Sequence, residues 1–489
     1  MQARRWIAIV LVIAAAAAAA FLAAHSGNIL RQIRGWTAAE SSINTPHESQ
    51  LLSEAFKTAT EEPAYRRWPK GKLAFHKQIA PIIYEKCARC HNTGGIAPFE
   101  LTSFNDVRKR ARRIGQAVGR RLMPPWMADR CSQPFVGDTS LTNQEKGMLE
   151  QWLEEGCREG DRANAPQPPP ARPEWPNGTP DVVLQPSDAY NVTGEGPDFF
   201  RCFVIPTNYP EDRYVRIAAV APGSRAVHHI LIYTDTSGAA RRLDEAERGP
   251  GYSAFGSPRF RPASNMGQWE PGVVEPALPD GVGYFLPKGA DLVLHVHYHP
   301  SGKEESDLSR VALYFCRAPV DKRLRCMPVM ISPSVLRIRA GESNACFWAE
   351  EEVPGDITVV QVFPHMHLLG REIAGAAMLP DGSGVPIIRI SNWDFRWQTL
   401  YMLKTPLRLP RGSNVRLEAC FDNSAANARN PNQPPLPVRF GITTSDEMCI
   451  LNLLYTVDSE RLTRGQVASH KYPDTLFPNH WRWIVAGRK

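Results

Sequence analysis

Past residue 24 the chain lacks any second apolar run long enough to span a bilayer, which excludes a membrane-embedded bundle for its main body. Charge is sparse as well. Only 22% of the 489 residues are charged and the net charge is +7, too mild a bias to indicate nucleic acid. Glycine (35) is outnumbered by proline (43), a balance that favours loops, linkers and short strands over long helices. No short-period internal repeat occurs, which argues against a solenoid or propeller. Histidine is missing altogether between residues 91 and 228. What is present is an ordinary globular hydrophobic fraction, 43%, and length for roughly three domains. The 13 histidines are concentrated. Eight fall in four short motifs: His91, the pair His228–His229, the trio His295, His297 and His299, and the pair His365 and His367. With 10 cysteines in the same chain, that placement points to metals.

Residues 1–26 read as an export signal, with Arg4 and Arg5 ahead of the uninterrupted apolar run Trp6–Ala24. Nineteen residues is long for a cleaved signal and just enough to cross a bilayer, and Ala24-His25-Ser26 offers a small-x-small cleavage site. The segment is either removed or kept as an N-terminal anchor. Both outcomes place the rest of the chain across the membrane. The expectation is an exported, periplasmic protein, soluble or tethered to the inner membrane, where spare cysteines can form disulfides. Residues 27–70 are polar and unpatterned, a tether.

Residues 71–160 carry helical patterning. Thr142-x-x-Glu145 is a capping-box signature, followed by Met148, Leu149, Trp152 and Leu153 at helical spacing. Residues 161–185 form a Pro-rich linker, with six prolines between positions 166 and 176. Beyond it come short alternating runs, among them Tyr214–Val220, Ile230–Thr234, Leu292–Tyr298 and Ile357–Val362, broken by Pro, Gly, Asn and Asp. The fold class expected is therefore multidomain: a small all-α domain followed by two all-β, jelly-roll-like sandwiches at 186–325 and 326–489. The second carries a C-terminal extension rich in aromatic and basic residues, including Trp481, Arg482 and Trp483.

Cys87-Ala88-Arg89-Cys90-His91 is a C-x-x-C-H sequence, in which two thiols can bond the vinyl groups of a haem and the adjacent histidine lies under the iron. A thioredoxin-like pair or half a zinc site would not need the histidine. The stretch Ile79–Gly156 resembles a monohaem cytochrome c domain. Met123, in the stiff Met123-Pro124-Pro125-Trp126 loop, is the expected sixth ligand, whose thioether would raise the potential. Met127, Met148 and His76 are the alternatives. Cys131 and Cys157 are a candidate staple for this domain. A basic run, Arg108, Lys109, Arg110, Arg112, Arg113, Arg120 and Arg121, is either a solvated helix face or a docking face for an acidic redox donor.

In Leu292–His299, apolar Leu292, Leu294, Val296 and Tyr298 alternate with Val293, His295, His297 and His299, which on a strand gathers three imidazoles on one face. His365 and His367 share a face if their strand runs through Pro364. Neighbours on a strand point oppositely, so His228 and His229 can reach one ion only through a bulge or through different ring nitrogens. A single histidine of this kind is ordinarily a satisfied polar group; three clusters together indicate metal binding. Imidazole suits copper, zinc or iron and does not choose among them.

Four motifs, in order, carry a resemblance. Val227-His228-His229-Ile230-Leu231, Val296-His297-Tyr298, His365-Met366-His367-Leu368-Leu369-Gly370 and Ser445-Asp446-Glu447-Met448-Cys449 resemble the copper type II, ascorbate-dependent monooxygenases, the family of the peptidylglycine α-hydroxylating and dopamine β-monooxygenases. The resemblance spans about residues 190–460. It implies two β-sandwiches, each with one copper, facing each other across a solvent-filled cleft. It assigns His228, His229 and His297 to a first, electron-transfer copper. It assigns His365, His367 and Met448 to a second, catalytic copper where O₂ binds and a C–H bond is attacked. A soft thioether at Met448 suits Cu(I). The resemblance also places Cys449 at a disulfide position with Cys420 as partner, and Cys202 at another, with a partner among Cys316, Cys326 and Cys346. Phe363 and Asn452 stand where the peptide enzymes hold an Arg and a Tyr against a peptide carboxylate, which argues for a less charged substrate. His295 replaces a Gln and, with His299, is a supporting group or an alternative ligand.

The sequence thus leads to an exported haem- and copper-dependent monooxygenase that hydroxylates an aliphatic C–H of a small organic molecule with O₂. Two copper ions and one covalent haem c are its expected cofactors. Electrons come from an ascorbate-like reductant or a redox protein and pass from haem to the first copper, then to the second. The runner-up is a periplasmic haem–copper electron-transfer or copper/oxygen-sensing protein without hydroxylase activity.

Overall fold

The computed structural model describes residues 55–56, 62–441 and 443–468, all within one compact unit, Pro46–Lys489. The export segment, most of the tether and residues 469–489 with Trp481, Arg482 and Trp483 lie outside the described residues. Among the described residues no helix is long and apolar enough to cross a membrane.

Four α-helices, Ala80–Lys86, Phe104–Lys109, Ala111–Gly119 and Asn143–Glu154, occupy the stretch patterned as helical. Their core joins Leu73, Phe75, Ile83, Phe104, Leu149 and Trp152. The capping box forms at the last helix: Glu145 N–H donates to Thr142 Oγ1 (3.0 Å), and Thr142 N–H donates to Glu145 Oε2 (2.7 Å).

The stretch is not a self-contained helical domain, however. Residues 126–136 leave it and run along two open sheet edges farther down the chain. Asp129 N–H donates to Arg389 O (2.7 Å) and Gln133 N–H to Ile387 O (3.0 Å), while Val136 N–H donates to Met402 O (2.8 Å). Those acceptors sit on Gly384–Ile390 and Tyr401–Leu409, each the last strand of its sheet. Unpaired edge groups want partners, and Trp126, Ala128 and Phe135 want burial; the arm meets both demands at once. The Pro-rich stretch is likewise no free spacer. Arg172 N–H donates to Thr93 O beside the C-x-x-C-H turn, and its guanidinium donates to Val273 O, both at 2.9 Å.

The β-region forms two sandwiches. In the first, sheet A has the order Tyr252–Ser253, Phe199–Pro206, Asp291–Tyr298, Val227–Asp235, Ser264–Trp269. Sheet B has the order Val182–Leu184, Arg310–Phe315, Arg213–Ala221, Val282–Leu286, Lys322–Arg323. Leu292, Leu294 and Val296 of sheet A pack with Val215, Val220 and Leu313 of sheet B. In the second sandwich, sheet C runs Arg325–Met330, Cys449–Val457, Ile357–Met366, Tyr401–Leu409. Sheet D runs Ala345–Glu352, Asn414–Phe421, Gly370–Met378, Gly384–Ile390.

Period-two alternation decides what sheet C shows to each side. Leu451, Leu453, Tyr455 and Val457 enter the core shared with sheet D, whereas Leu454, Val360 and Met402 join the core of the first sandwich. The sandwiches are thus packed back to face.

The disulfide expectations need correction. Cys420 bonds Cys346, not Cys449. The register sets the two directly opposite on neighbouring strands of sheet D, while Cys449 begins a strand of sheet C and stays a buried thiol. Cys131 and Cys157 are not bonded: Cys157 lies in the helical core, and Cys131 packs near Ala55, Phe56 and Ala376. Cys202, Cys316 and Cys326 are free thiols as well.

Candidate metal centre

The strand Val227–Asp235 pairs with Asp291–Tyr298, and its register slips between Val227 and His229. This irregularity is a bulge, the first of the two ways in which adjacent histidines can share one ion. His228 Nδ1 lies 3.2 Å from His229 Nδ1, and His297 Nδ1 lies 3.4 Å from the same atom. Two nitrogens held about 2.0–2.1 Å from one tetrahedral ion are themselves separated by about 3.3–3.4 Å, so the three rings are spaced as ligands of a single ion. They are the one group of three or more His, Cys, Asp or Glu side chains with converging donor atoms found among the described residues.

The tautomers follow from the partners. His297 Nε2 is 2.9 Å from Asp198 Oδ2; a carboxylate only accepts, so Nε2 carries the hydrogen and Nδ1 is the bare nitrogen turned to His229. His299, mostly exposed, donates from Nδ1 to the other oxygen of Asp198 at 2.7 Å. Burial pulls the Asp198 carboxyl up, but hydrogen bonds from His297 and His299 outweigh it and hold it at about 2. Burial, then the charge of His297, lowers His228 to about 4 and takes His229 well below the usual imidazole range, so both rings stay neutral as ligands must.

The second set lies on sheet C. The strand Ile357–Met366 runs through Pro364, and its register pairs Phe363 with Asn452 and His365 with Ile450. All four side chains therefore share the face turned to sheet A. His365 Nδ1 donates to Gln398 Oε1 (2.5 Å), and the Gln398 amide donates in turn to Phe395 O. His367 Nδ1 donates to Asp446 O (3.1 Å). Both rings therefore offer bare Nε2 atoms, in contrast to the Nδ1 atoms of the first set. Burial lowers His365 to about 3 and His367 to about 4.

Glu447, fully buried, ties this site together. Its Oε2 accepts from His367 N–H (3.1 Å) and Met448 N–H (3.2 Å), and its Oε1 accepts from Leu369 N–H (2.6 Å). One carboxyl thus fixes both the histidine turn and the methionine, although burial pushes it up to about 8.

The two sets are not separated by a broad solvent-filled cleft. His229, His365, His367 and Met448 line one cavity of about 110 Å³, together with Phe363, Asn452, His295 and Glu270. Phe395 lies between the sets, stacked on His228 at 6.2 Å and edge-on to His367 at 6.0 Å. No Arg or Lys is among the lining residues in the described part of the chain. Back-to-face packing of sheet C on the first sandwich closes the space that two independent domains would leave open.

The C-x-x-C-H turn continues the helix Ala80–Lys86. Cys90 N–H and His91 N–H both donate to Cys87 O, at 3.2 and 3.0 Å, gathering the three side chains on one turn. His91 Nδ1 donates to Phe99 O (3.0 Å), which leaves Nε2 with its lone pair. Ile96 (47% exposed), Leu122 (41%) and Met123 (36%) are among the few large apolar side chains left to solvent. Of these, Ile96 lies beside Cys90, both within reach of Gly272. Cys90 also abuts the first sandwich: a Cβ on Gly272, whose φ is +87°, would come within 2.9 Å of Cys90 Sγ.

Met123 lines a different cavity, about 330 Å³, with Leu122, Pro124, Trp126, Asp394 and Trp397, and neither cysteine nor His91 is among its lining residues. Met127 is engaged elsewhere, its sulfur accepting from Asp394 N–H (3.2 Å), and Met148 packs on the helical core. His76 Nε2 faces Glu159 (3.4 Å).

Asp198, Gln268, Glu270, Phe395 and Gln398 belong to the site yet carry no motif. Asp446 and Glu447 lay inside one.

Residues 340–477 match the family model described as copper type II ascorbate-dependent monooxygenase, C-terminal domain, a little over a quarter of the chain. No curated protein matches. Among solved structures the chain is similar to one titled as PNGF-II (7% identity, 56% of this chain and 65% of that one, TM-score 0.25). A Paenibacillus xanthan lyase follows (11%, 56% and 25%, TM-score 0.15), as does the infectious bursal disease virus VP2 subviral particle (10%, 57% and 72%, TM-score 0.16). The chain therefore spans under two thirds of the first of these, and the scores are too low to carry any argument about fold or function.

Proposed function

We propose that the protein is an exported haem- and copper-dependent monooxygenase, periplasmic and either free or tethered by its N-terminal segment, acting on an aliphatic C–H of a small organic substrate. The observation that carries this reading is that His229 of the first histidine trio lines one cavity with His365, His367 and Met448, the latter three inside the segment that matches a copper monooxygenase domain. A haem held by Cys87, Cys90 and His91, a copper held by His228, His229 and His297 and a copper held by His365, His367 and Met448 would together supply two electrons, in that order of flow. With two protons, these convert R–H and O₂ to R–OH and water. Asp198 holds the His297 ring with Nδ1 toward the first ion. Gln398 and the Asp446 carbonyl hold Nε2 of His365 and His367 free for the second. Met448 completes it. Phe363 and Asn452 line the cavity where a carboxylate-gripping pair would stand, which favours an uncharged substrate. Met123 remains the proposed sixth haem ligand, and an ascorbate-like reductant or a small redox protein is the proposed electron source.

The test is reductant-dependent O₂ uptake under ¹⁸O₂, with mass spectrometry of the organic product. One ¹⁸O per product is expected from the native protein, and loss of that product in Met448→Ile with the haem spectrum retained. Unchanged hydroxylation in Met448→Ile would overturn the site. Uptake without labelled product across candidate substrates would favour an electron-transfer or sensing protein.

A further inference from the structure

Two buried polar atoms beside the shared cavity have no hydrogen-bond partner among the described residues: His295 Nδ1 and Glu270 Oε2. Both residues line that cavity and are at least nine-tenths buried. They come from separate strands of sheet A. Leu231 pairs with His295 on one side and with Gln268 on the other, so these three share a face, with Glu270 just beyond the end of the Gln268 strand.

Their chemistry is specific. His295 Nε2 is 2.7 Å from Ala254 O, an acceptor only, so Nε2 carries the hydrogen and Nδ1 is a bare acceptor. Glu270 Oε1 already accepts from the Gln268 amide, which leaves Oε2 unmatched. Buried polar atoms are nearly always paired, and two exceptions at one cavity indicate a group that arrives with the ligand. The remaining walls, Phe200, Leu231, Phe363 and Ile450, are apolar.

Size and charge narrow the class. An engineered 150 Å³ cavity accepts benzene, so about 110 Å³ suits about four or five non-hydrogen atoms. A hydroxyl both donates and accepts. It therefore donates its one hydrogen to bare His295 Nδ1 and accepts from Glu270 Oε2–H, the oxygen left to carry that buried carboxyl's proton while Oε1 accepts from Gln268. A carboxylate ligand would find no cation among the lining residues and would face Glu270.

We infer that the cavity takes a short uncharged alcohol or alcohol-like end group, its hydroxyl held by His295 and Glu270 and its aliphatic carbons laid toward Met448. This rests on the proposed monooxygenase reading and names its substrate class. His295 and Glu270 are binding residues here.

The test is calorimetric titration of the full-length, copper-loaded protein with three probes: 1-butanol, 1-chlorobutane (the same size without the O–H) and butanoate. Butanol is expected to bind, chlorobutane at least about tenfold more weakly, and butanoate not at all. Glu270→Leu should lose at least about tenfold for butanol while leaving chlorobutane within about threefold; Glu270→Gln, which keeps a hydrogen-bonding head, should stay within about threefold for butanol. Glu270→Leu takes the acceptor from the Gln268 amide, a cost of about 1–3 kcal/mol, so its retained fold and copper content are checked by thermal melt and metal analysis, and the double variant Glu270→Leu/Gln268→Leu, which removes both partners, repeats the selective butanol loss. His295→Phe should repeat the selective loss. Failure of butanol to bind, equal binding of butanol and chlorobutane, or native butanol affinity in both Glu270→Leu and His295→Phe would overturn the inference. Butanol binding without oxygenation would count against the monooxygenase reading alone. Oxygenation of some other compound, with no selective butanol binding, would count against this inference alone.

Discussion

Removing Asp198 should weaken the first metal site without touching the second. In the native protein Asp198 accepts from His297 Nε2–H at 2.9 Å and from His299 Nδ1–H at 2.7 Å, and the His297 ring is wholly buried. Asp198→Ala leaves a buried N–H without an acceptor, a cost of about 1–3 kcal/mol, and frees the ring to place its hydrogen on Nδ1, the atom needed for the ion. Loss of a partner that orients a ligand in this way typically costs about 10–100-fold in metal affinity. Asp198→Asn keeps an acceptor oxygen and should lose less than about tenfold. His299→Ala removes only the exposed arm of the pair and should stay near the native value. The assay is a competitive copper titration of metal-free protein, with the second site as internal reference. Equal affinity in Asp198→Ala and the native protein, or an equal loss at both sites, would refute the reasoning.

Glu447→Ala strips the acceptor from three backbone N–H groups, those of His367, Leu369 and Met448. A loss of about 3 kcal/mol or more is expected, which is roughly 6–12 °C in calorimetric Tm for a domain of this size, with weakened copper binding at the second site. A Tm unchanged to within about 2 °C would contradict it. Glu275 gives a pH signature: burial raises its carboxyl to about 7 even though it accepts from Val220 N–H. A raised folded value means full stability below the ordinary carboxylate range and a loss as pH climbs toward about 7. Glu275→Gln removes that loss, so the variant should gain on the native protein between pH 5 and 8, on the order of 2 kcal/mol by denaturant midpoint. A gap that does not change with pH would contradict it.

What was legible in the sequence was local. The alternation through Leu292–Tyr298 and the run of the His365 strand through Pro364 are period-two statements, and the backbone obeys them; for His228–His229 the sequence left a bulge or different ring nitrogens open, and the register slip is the bulge. What depends on which strands become neighbours was not legible. Cys346 finds Cys420 because sheet D pairs their strands, and Cys449 is left in sheet C. Asp198 lies 99 residues from His297, and Phe395 reaches both ligand sets from a short turn with no motif of its own. The arm 126–136 was assigned to the helices by position in the chain, yet the open edges of sheets C and D hold it. Glu270 and His295 become informative only once their unmatched atoms are seen at the same cavity.

The most direct test of two copper sites sharing one cavity is anomalous scattering at the copper edge from crystals of the copper-loaded protein. Two peaks are predicted, one bounded by Nδ1 of His228, His229 and His297, the other by Nε2 of His365 and His367 with the sulfur of Met448. A single peak, or a copper held by His295 in place of any of these, would contradict the account.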